Sequence, residues 1–436
     1  MTSAPVLESA SGNQYASYVP TDRTCCRFCG TALRESVVDL GMSPPCESLR
    51  QESDLGLMEA FYPLHARVCG ECKLVQLEEF VSRESIFEEY AYFSSYSTSW
   101  VAHAEQYCDQ MIDRFALDAH SFVVEIASND GYLLQHFVAR EIPVLGVEPA
   151  VNVAQVALAR NIPTRTAFFG KRLASEMAAA NQKADLIVAN NVLAQVPDIN
   201  DFVAGMKRIL KPQGVVTLEF PHVATLLAQN QFDTIYHEHF SYFSLFTLQI
   251  IARLNGLEIF DVEELPTHGG SLRVYLGHTG RCGLISPNVA GLMEQERSSG
   301  LHEVEAYTSF AARARQAKRN LLYFLIGVKE RGGSICGYGA PGKGNTLLNY
   351  CGIGTDFLDF TVDRNPYKHG QYTPGMHIPI LPVEAIEQRR PDYILILPWN
   401  LKDEIISQMR FVGEWGAKFI IPIPEISVID PRENWS

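Results

Sequence analysis

Residues 121–149 read SFVVEIASNDGYLLQHFVAREIPVLGVEP, and this segment predicts the order strand, turn, helix, strand. Residues 122–126 form a short, β-branched apolar run of the kind found in buried parallel strands. Gly131 and the polar residues before it predict a tight turn, and residues 132–140 carry the apolar spacing of a helix. Residues 144–148 predict a second buried strand that ends in the carboxylate of Glu148. We therefore expect an α/β domain with a ligand site at this turn.

Two ligand classes compete for such a turn. A carboxylate about 20 residues after the turn is typical of an acid that accepts hydrogen bonds from ribose hydroxyls. A dinucleotide-binding turn needs three glycines and a helix N-terminus that faces a pyrophosphate, whereas here only Gly131 is present and Asp130 would repel a phosphate. A carboxylate at that position suits a ligand that carries an amino acid and a sulfonium. The turn therefore favours S-adenosylmethionine over a dinucleotide.

The downstream sequence supports the same interpretation. Residues 185–191 predict a strand that ends in two amides, and ILKPQG at residues 209–214 precedes another strand, as in class I methyltransferases. Ligands bind at the carboxyl ends of the strands in such sheets. The residues expected at the cofactor are Ala127, Ser128, Asn129, Asp130, Gly131, Glu148, Pro149, Asn190 and Asn191.

Two CxxC pairs near the N-terminus predict a metal site. They are Cys26 with Cys29 and Cys69 with Cys72. In a reducing compartment, paired CxxC units are typical of a four-thiolate zinc centre, closed and therefore structural. Cys25 is an alternative to Cys26, but the CxxC spacing favours Cys26.

Composition restricts the class of protein. The 436 residues are too many for a single core, and 47% hydrophobic with 20% charged residues is ordinary for a globular protein. The net charge of −14 argues against a nucleic-acid partner. We find no apolar run long enough to span a membrane and no signal peptide, so we expect a cytoplasmic protein that does not bind a membrane, and we expect a monomer.

A run of ionisable residues at 236–239, YHEH, is the strongest candidate for acid–base chemistry. His237 and His239 do not have the spacing of a helical zinc motif. Further on, His268 lies in THGGS, a glycine turn that either shapes the site or forms a simple hairpin.

The C-terminal part predicts a second α/β unit. Residues 302–331 predict one long helix, and GYGAPG at residues 337–342 satisfies GxGxxG after a strand. We expect the next strand at residues 358–362, with Asp363 at its end. Gly344 replaces the Ser or Thr of a Walker A loop, which excludes that motif. Lys343 is either a partner for a diphosphate or a solvated cation, and Asn345 and Asn400 are candidates for sugar contacts.

These segments together resemble the NDP-sugar C-methyltransferases of deoxysugar pathways, as in tetronitrose biosynthesis. The resemblance covers roughly residues 25–400 through CRFCG, YPLHARVCGECKLVQL, EIASNDGYLLQ, VLGVEPA, ANNVLAQVPD, YHEHFSYFS, HGGSLRV and GYGAPGKGNTLLNY. It implies a zinc-binding domain (1–85), an S-adenosylmethionine-dependent methyltransferase domain (86–295) and a C-terminal Rossmann-like domain (296–436) that helps to bind the nucleotide sugar.

The resemblance also implies chemistry and site residues. The substrate would be an NDP-4-keto-deoxysugar, dTDP-linked, methylated on a carbon next to the ketone, commonly C3. The implied catalytic residues are His239 as the base, Glu238, Tyr236 and Tyr90; substrate contacts are expected at Tyr338, Gly339, Lys343, Asn345, His268 and Asn400. One departure is Gln195, which stands where a family member carries histidine. Methylation at C5 or on another atom, and a nicotinamide-dependent nucleotide-sugar oxidoreductase that uses the GxGxxG turn, are the alternatives.

Overall fold

The N-terminal part of the chain forms a four-stranded antiparallel sheet in the computed structural model, which describes residues 24–87 and 93–433. The elements up to the next sheet are β1 (Glu35–Ser43), β2 (Tyr62–Val68), β3 (Val75–Leu77), α1 (Arg83–Phe87) and α2 (Thr98–Phe115). The fourth strand, Ser241–Tyr242, comes from far along the chain and pairs with β3. Because that strand directly follows residues 236–239, the first sheet is tied to the YHEH segment.

The central sheet has seven strands with the predicted strand Val123–Ile126 in its interior. The elements in this part of the chain are β4 (Val123–Ile126), α3 (Leu134–Val138), β5 (Val144–Val147), α4 (Val151–Ala159), β6 (Thr164–Arg165), α5 (Lys171–Ala179), β7 (Ala184–Asn190), α6 (Ile199–Ile209), β8 (Leu210–Pro221), α7 (Val223–Ala228), β9 (Ser241–Tyr242), α8 (Leu245–Leu254), β10 (Leu257–Leu265) and β11 (Ser271–His278). Of these strands, β9 is the short strand that belongs to the first sheet.

The strand order is β10-β11-β8-β7-β4-β5-β6, and β11 runs antiparallel to both of its neighbours. From β4 the chain first adds β5 and β6 on one side, and then crosses over to add β7 and β8 on the other side. This switch opens a crevice between β4 and β7, where residues 127–131 and 190–191 leave the sheet. This is the class I methyltransferase fold, as the sequence predicted.

The C-terminal part builds a six-stranded sheet in the order β14-β13-β12-β15-β16-β17. Its elements are α9 (Pro287–Ser298), α10 (Glu305–Thr308), α11 (Phe310–Glu330), β12 (Ile335–Tyr338), α12 (Gly342–Cys351), β13 (Thr361–Val362), β14 (Ile380–Leu381), α13 (Ala385–Arg389), β15 (Tyr393–Ile396), α14 (Lys402–Gln408), β16 (Lys418–Ile421) and β17 (Ser427–Ile429). The strands are parallel except β17, which gives the predicted Rossmann-like unit.

Two element bounds differ from the prediction. The long helix predicted at residues 302–331 is two helices, α10 and α11, interrupted at Ser309. The strand predicted at residues 358–362 is reduced to Thr361 and Val362. Leu358 and Phe360 are nevertheless buried, so their apolar character reflects core packing rather than membership of the strand.

The three sheets share cores. Val38 and Leu64 of the first sheet belong to the same apolar cluster as Tyr338 and Leu347 of the C-terminal unit, while Cys69 packs into the cluster of the central sheet. Within the described ranges, no helix combines the length and the apolar character needed to cross a bilayer.

Candidate active site and metal centre

The four predicted cysteines converge at the edge of the first sheet. The thiol sulfurs of Cys26, Cys29, Cys69 and Cys72 lie within 4.8 Å of one another, with separations of 3.5 Å (Cys29–Cys69), 3.6 Å (Cys26–Cys72) and 3.7 Å (Cys29–Cys72). A tetrahedron with Zn–S bonds of about 2.3 Å has edges of about 3.8 Å. The sulfurs therefore fit a tetrahedral zinc ion, and Cys26, rather than Cys25, belongs to the set.

The knuckles of this centre are anchored to the central unit. Arg27 donates from its guanidinium to the carbonyl of Pro197 at 3.3 Å, and the Asn200 amide donates to the carbonyl of Phe28 at 2.9 Å. All four positions are taken by protein sulfurs, so the metal has a structural role and no open position for substrate.

The turn after β4 has the conformation of a ligand-binding loop. Ala127, Asn129 and Gly131 all have positive φ, at 58°, 49° and 80°. A Cβ at Gly131 would lie 2.4 Å from Cδ1 of Ile162, so only glycine fits there. Glu148 fixes the loop from the next strand, since its carboxylate accepts from the backbone N–H of Asn129 at 2.9 Å.

Several polar atoms around this turn are buried with no hydrogen-bond partner in the part of the chain that the structure describes: Ser128 Oγ, Asp130 Oδ1 and Asn190 Oδ1. Burying such atoms unpaired is costly, so their presence points to a bound polar ligand. Beside them, Ala127, Pro149 and Phe168 line an apolar pocket suited to a flat ring. An anionic loop next to an apolar slot fits S-adenosylmethionine, whose ammonium and sulfonium groups are cationic and whose adenine is planar.

The YHEH segment forms a β-turn rather than an extended strand. The backbone N–H of His239 donates to the carbonyl of Tyr236 at 2.9 Å, and the two rings are in contact, tilted by 35° with centroids 4.1 Å apart. His239 Nδ1 lies 3.3 Å from the carbonyl of Thr234, which assigns the proton to Nδ1 and leaves Nε2 as the basic nitrogen. Burial lowers the pKa of His239 to about 3, so the ring is neutral near pH 7.

The other two residues of the turn point elsewhere. His237 Nε2 lies 3.2 Å from the carbonyl of Pro63, against the first sheet, and burial lowers the pKa of its ring to about 4. Glu238 is buried and accepts a hydrogen bond from the thiol of Cys46 at 3.6 Å.

The C-terminal unit forms one wall of the candidate substrate cleft, the region between α12 and the YHEH turn. The ammonium of Lys343, at the start of α12, donates to Asn400 Oδ1 at 2.8 Å and lies 4.8 Å from the ring of Trp399. The indole N–H of Trp399 donates to buried Asp233 at 2.6 Å, which joins this wall to the segment before the YHEH turn. Burial raises the pKa of Asp233 to about 6, although the charge of Lys343 opposes the rise.

Trp100 connects the cofactor loop with the cleft. Its ring stacks on Tyr132, which follows Gly131, and on His103, with centroids 6.3 Å and 5.0 Å away. The ring of His268 contacts the same indole in a T-shaped arrangement, with the two centroids 5.1 Å apart.

His103 in turn contacts a buried ion pair at the end of β8. Its Nε2 lies 3.1 Å from Glu219 Oε2, and Arg273 lies 2.6 Å from Glu219 Oε1. Burial raises the pKa of Glu219, but the hydrogen bond from His103 and the charge of Arg273 lower it below the ordinary value overall.

The remaining predicted residues lie around this cleft in different settings. Tyr338 and Gly339 are buried at the end of β12, and Asn345 donates its amide to the carbonyl of Cys46 at 2.6 Å, inside the interface between units. Gln195 lines the apolar pocket beside Ala127. Tyr90 lies outside the described residues.

Sequence reasoning missed the contacts made by His103, Asp233, Trp399, Cys46 and Glu219. Glu219 carried a usable signal, because a carboxylate inside an apolar strand needs a buried partner. Trp399 and Asp233 are separated by 166 positions, and no local pattern predicts that contact.

The GxGxxG turn is occupied by internal contacts. The carboxylate of Asp363 accepts from the backbone N–H groups of Ala340 and Asn365, both at 2.8 Å. A Cβ at Gly342 would lie 2.8 Å from the sulfur of Cys46, so the first sheet crowds the start of α12. These contacts disfavour the nicotinamide alternative.

Comparison with known proteins agrees with this geometry. Three family models match consecutive segments: a zinc binding domain (26–87), a methyltransferase domain (100–262) and a C-methyltransferase C-terminal domain (266–424). The C-methyltransferase NovU of Streptomyces niveus is 36% identical over 409 residues, which cover 94% of this chain and 97% of NovU.

Solved structures show only distant likeness. YcgJ of Bacillus subtilis (13% identity, TM-score 0.33) matches 41% of this chain and 100% of its own. The SAH-bound magnesium protoporphyrin IX methyltransferase ChlM of Synechocystis (12% identity, TM-score 0.33) matches 41% of this chain and 83% of its own. The similarity to NovU over nearly the whole of both chains, together with the fold, the loop and the four-cysteine centre, shows that this chain belongs to the C-methyltransferase family and is an S-adenosylmethionine-dependent enzyme with a structural zinc ion.

Proposed function

We propose that the enzyme methylates an NDP-4-keto-deoxysugar, dTDP-linked, on the carbon next to its ketone, with C3 as the favoured position. The observation that carries the proposal is the neutral imidazole of His239, fixed by Thr234 and Tyr236 at the junction of the three units. A sugar C–H becomes acidic enough for a side-chain base only when an adjacent carbonyl can take up the charge.

The cofactor is held by the loop after β4 and by the neighbouring strand ends. Glu148 accepts hydrogen bonds from the ribose hydroxyls. Asp130 and Asn190 face the methionine portion with the oxygens that have no other hydrogen-bond partner among the described residues. Pro149 and Ala127 border the adenine slot. When bound, S-adenosylmethionine supplies an electrophilic methyl group.

The reaction begins with removal of the proton next to the ketone by His239 Nε2. Tyr236 contacts the substrate beside this base, since burial raises the pKa of its phenol well above the usual value and keeps it a neutral hydrogen-bond donor. Glu238 stabilises the turn through Cys46 and holds the base in place. Tyr90 is proposed to complete the site, on the resemblance alone.

The nucleotide sugar is bound from the C-terminal side of the cleft. Lys343 and Asn400 present a cation and an amide to it, and Tyr338 with Gly339 forms the base of that wall. Asn345 shapes the same wall through Cys46 rather than through a free amide. A single cleft thus holds both ligands in contact, as transfer between them requires.

The experiment is incubation of the enzyme with a dTDP-linked 4-keto-deoxyhexose and S-adenosylmethionine that carries a ¹³C-labelled methyl group. Carbon NMR of the product should show the label bonded to the carbon next to the ketone. The matched substrate with a 4-hydroxyl in place of the ketone should not react, because its C–H is not acidic. A label on oxygen, or equal reaction of the 4-hydroxy compound, would overturn the proposal.

A further inference from the structure

The turn that carries His268 is strained into one conformation. His268 has φ of 55°, and Gly269 and Gly270 follow with φ of 91° and 120°. A Cβ at Gly269 would lie 2.6 Å from the Trp399 ring, and one at Gly270 would lie 2.5 Å from Thr225. The backbone of this turn therefore lies close to Trp399 and Thr225, which fixes the position of the imidazole.

The imidazole carries an unsatisfied atom. Nε2 of His268 is buried from solvent and has no hydrogen-bond partner within residues 24–87 and 93–433. The ring itself is held by the edge contact with Trp100, whose ring centroid is 5.1 Å away. Leaving a buried ring nitrogen unpaired costs free energy, so the position is built for a polar atom that arrives with a ligand.

Four charged or titratable groups surround this ring: Lys343, Glu219, His103 and His239. Burial and the charge of Lys343 lower the pKa of His268 to about 4, while Glu219 opposes the change. The ring is therefore neutral at working pH and can donate one hydrogen bond without carrying a charge.

We propose that His268 is a catalytic residue that donates from Nε2 to the ketone oxygen of the substrate and stabilises the enolate. The inference rests on the proposed function and assigns a role that a mere sugar contact would not have. In the step, the C–H bond breaks and its proton passes to His239 Nε2. The C–H electron pair forms a C=C bond, and the π pair of the carbonyl moves onto the ketone oxygen. His268 keeps its proton and strengthens its hydrogen bond as that oxygen becomes negative.

The test compares the wild-type enzyme with His268→Ala and His268→Gln, and uses His120→Gln, an exposed histidine, as the matched control. Each protein is mixed in D₂O with the dTDP-linked 4-keto-deoxyhexose and the demethylated cofactor product. NMR gives the rate of deuterium uptake next to the ketone, and calorimetry gives the dissociation constant of the sugar nucleotide. Thermal melting shows which variants are folded.

His268→Ala should lower the exchange rate by about 10²–10³-fold, the usual cost of losing one oxyanion donor, with less than about a fivefold change in the dissociation constant. His268→Gln should recover part of that loss, because its amide can donate to the same oxygen, and it decides the matter if the alanine variant does not fold. His120→Gln should match the wild type.

Full-rate exchange in both His268 variants would overturn this role while leaving the proposed function intact. A dissociation constant that rises by as much as the rate falls would show a binding residue only, which also overturns it. Absence of exchange in the wild-type enzyme would overturn the proposed function and this role with it.

Discussion

Glu148 is the residue whose contacts predict cofactor affinity most directly. Its two carboxylate oxygens accept from the backbone N–H groups of Asn129 and Ala150, at 2.9 Å and 2.8 Å, so it shapes the loop that we propose to bind the ribose. Glu148→Ala should weaken binding of the demethylated cofactor by about 1–3 kcal/mol in calorimetry, because a buried acceptor is lost. The matched control is Glu176→Ala, a half-exposed glutamate on α5. Equal affinity in both variants would contradict the assignment.

The pH profile tests the protonation state of His239. Burial lowers the pKa of its ring to about 3, and a base works only above its pKa. The acid limb of kcat/KM should therefore lie well below about 6.5, the ordinary histidine value, so activity persists at pH 5.5. An acid limb centred near 6.5 that disappears in His239→Asn would show that the ring is not desolvated as described.

The candidate site residues that sequence reasoning proposed are those that stand in short local patterns. The CxxC pairs, Asp130 and Glu148 each stand in a short pattern with a physical meaning. His103 and Glu219 are separated by 116 positions and meet only because β8 and α2 pack together, so no spacing could predict that pair. The catalytic role of the YHEH turn stays a prediction, and its turn conformation was not predicted.

The zinc centre supports the elements around it. Cys69→Ser should abolish stoichiometric zinc and lower the melting temperature by at least about 5 °C, because the free energy of metal binding contributes to folding. Turnover should fall with the folded fraction rather than beyond it. Elemental analysis with a melting curve checks this, and Cys25→Ser should keep one zinc per chain. Substoichiometric zinc in carefully reduced native protein would contradict the assignment.

The buried ion pair between Glu219 of β8 and Arg273 of β11 should make the stability of the fold depend on pH. Arg273 and Glu219 are 2% and 0% exposed. Glu219→Gln removes the buried partner of Arg273, which keeps Glu263 at 3.1 Å, and should cost about 1–3 kcal/mol of unfolding free energy at pH 7. The folded pKa of Glu219 is lowered, so this contribution is complete above the unfolded pKa of about 4.3 and is lost as pH falls through the folded value.

Urea unfolding of both proteins at pH 7 and at pH 3.5 checks the prediction. The difference between wild type and variant should shrink at the lower pH. A difference that is independent of pH would mean that packing, rather than charge, accounts for it.

Element types were predictable where hydrophobic period and turn chemistry agree, as in β4, β5 and the glycine turn after β12. The break between α10 and α11 and the shortness of β13 were not predictable, because apolar residues such as Leu358 pack into the core without joining a strand. Pairing of β3 with β9 joins elements that are distant in sequence, and periodicity carries no information about it.

At the scale of the whole molecule, the three units meet around the YHEH turn. The first sheet supplies Cys46 and holds the YHEH turn through β9, the central sheet carries the cofactor loop, and the C-terminal unit supplies Lys343 and Trp399. The divisions after residues 85 and 295 stay predictions, since the shared cores do not mark a boundary by themselves.

Solvent exchange at the carbon next to the ketone tests the central claim most directly. The wild-type enzyme, mixed in D₂O with a dTDP-linked 4-keto-deoxyhexose and the demethylated cofactor product, should take up deuterium there without methyl transfer. His239→Asn should lose exchange and turnover together, by about 10²–10⁴-fold, whereas His237→Asn should keep both. Full-rate exchange in His239→Asn with loss in His237→Asn would contradict the account, as would methyl transfer by a wild-type enzyme that exchanges no deuterium.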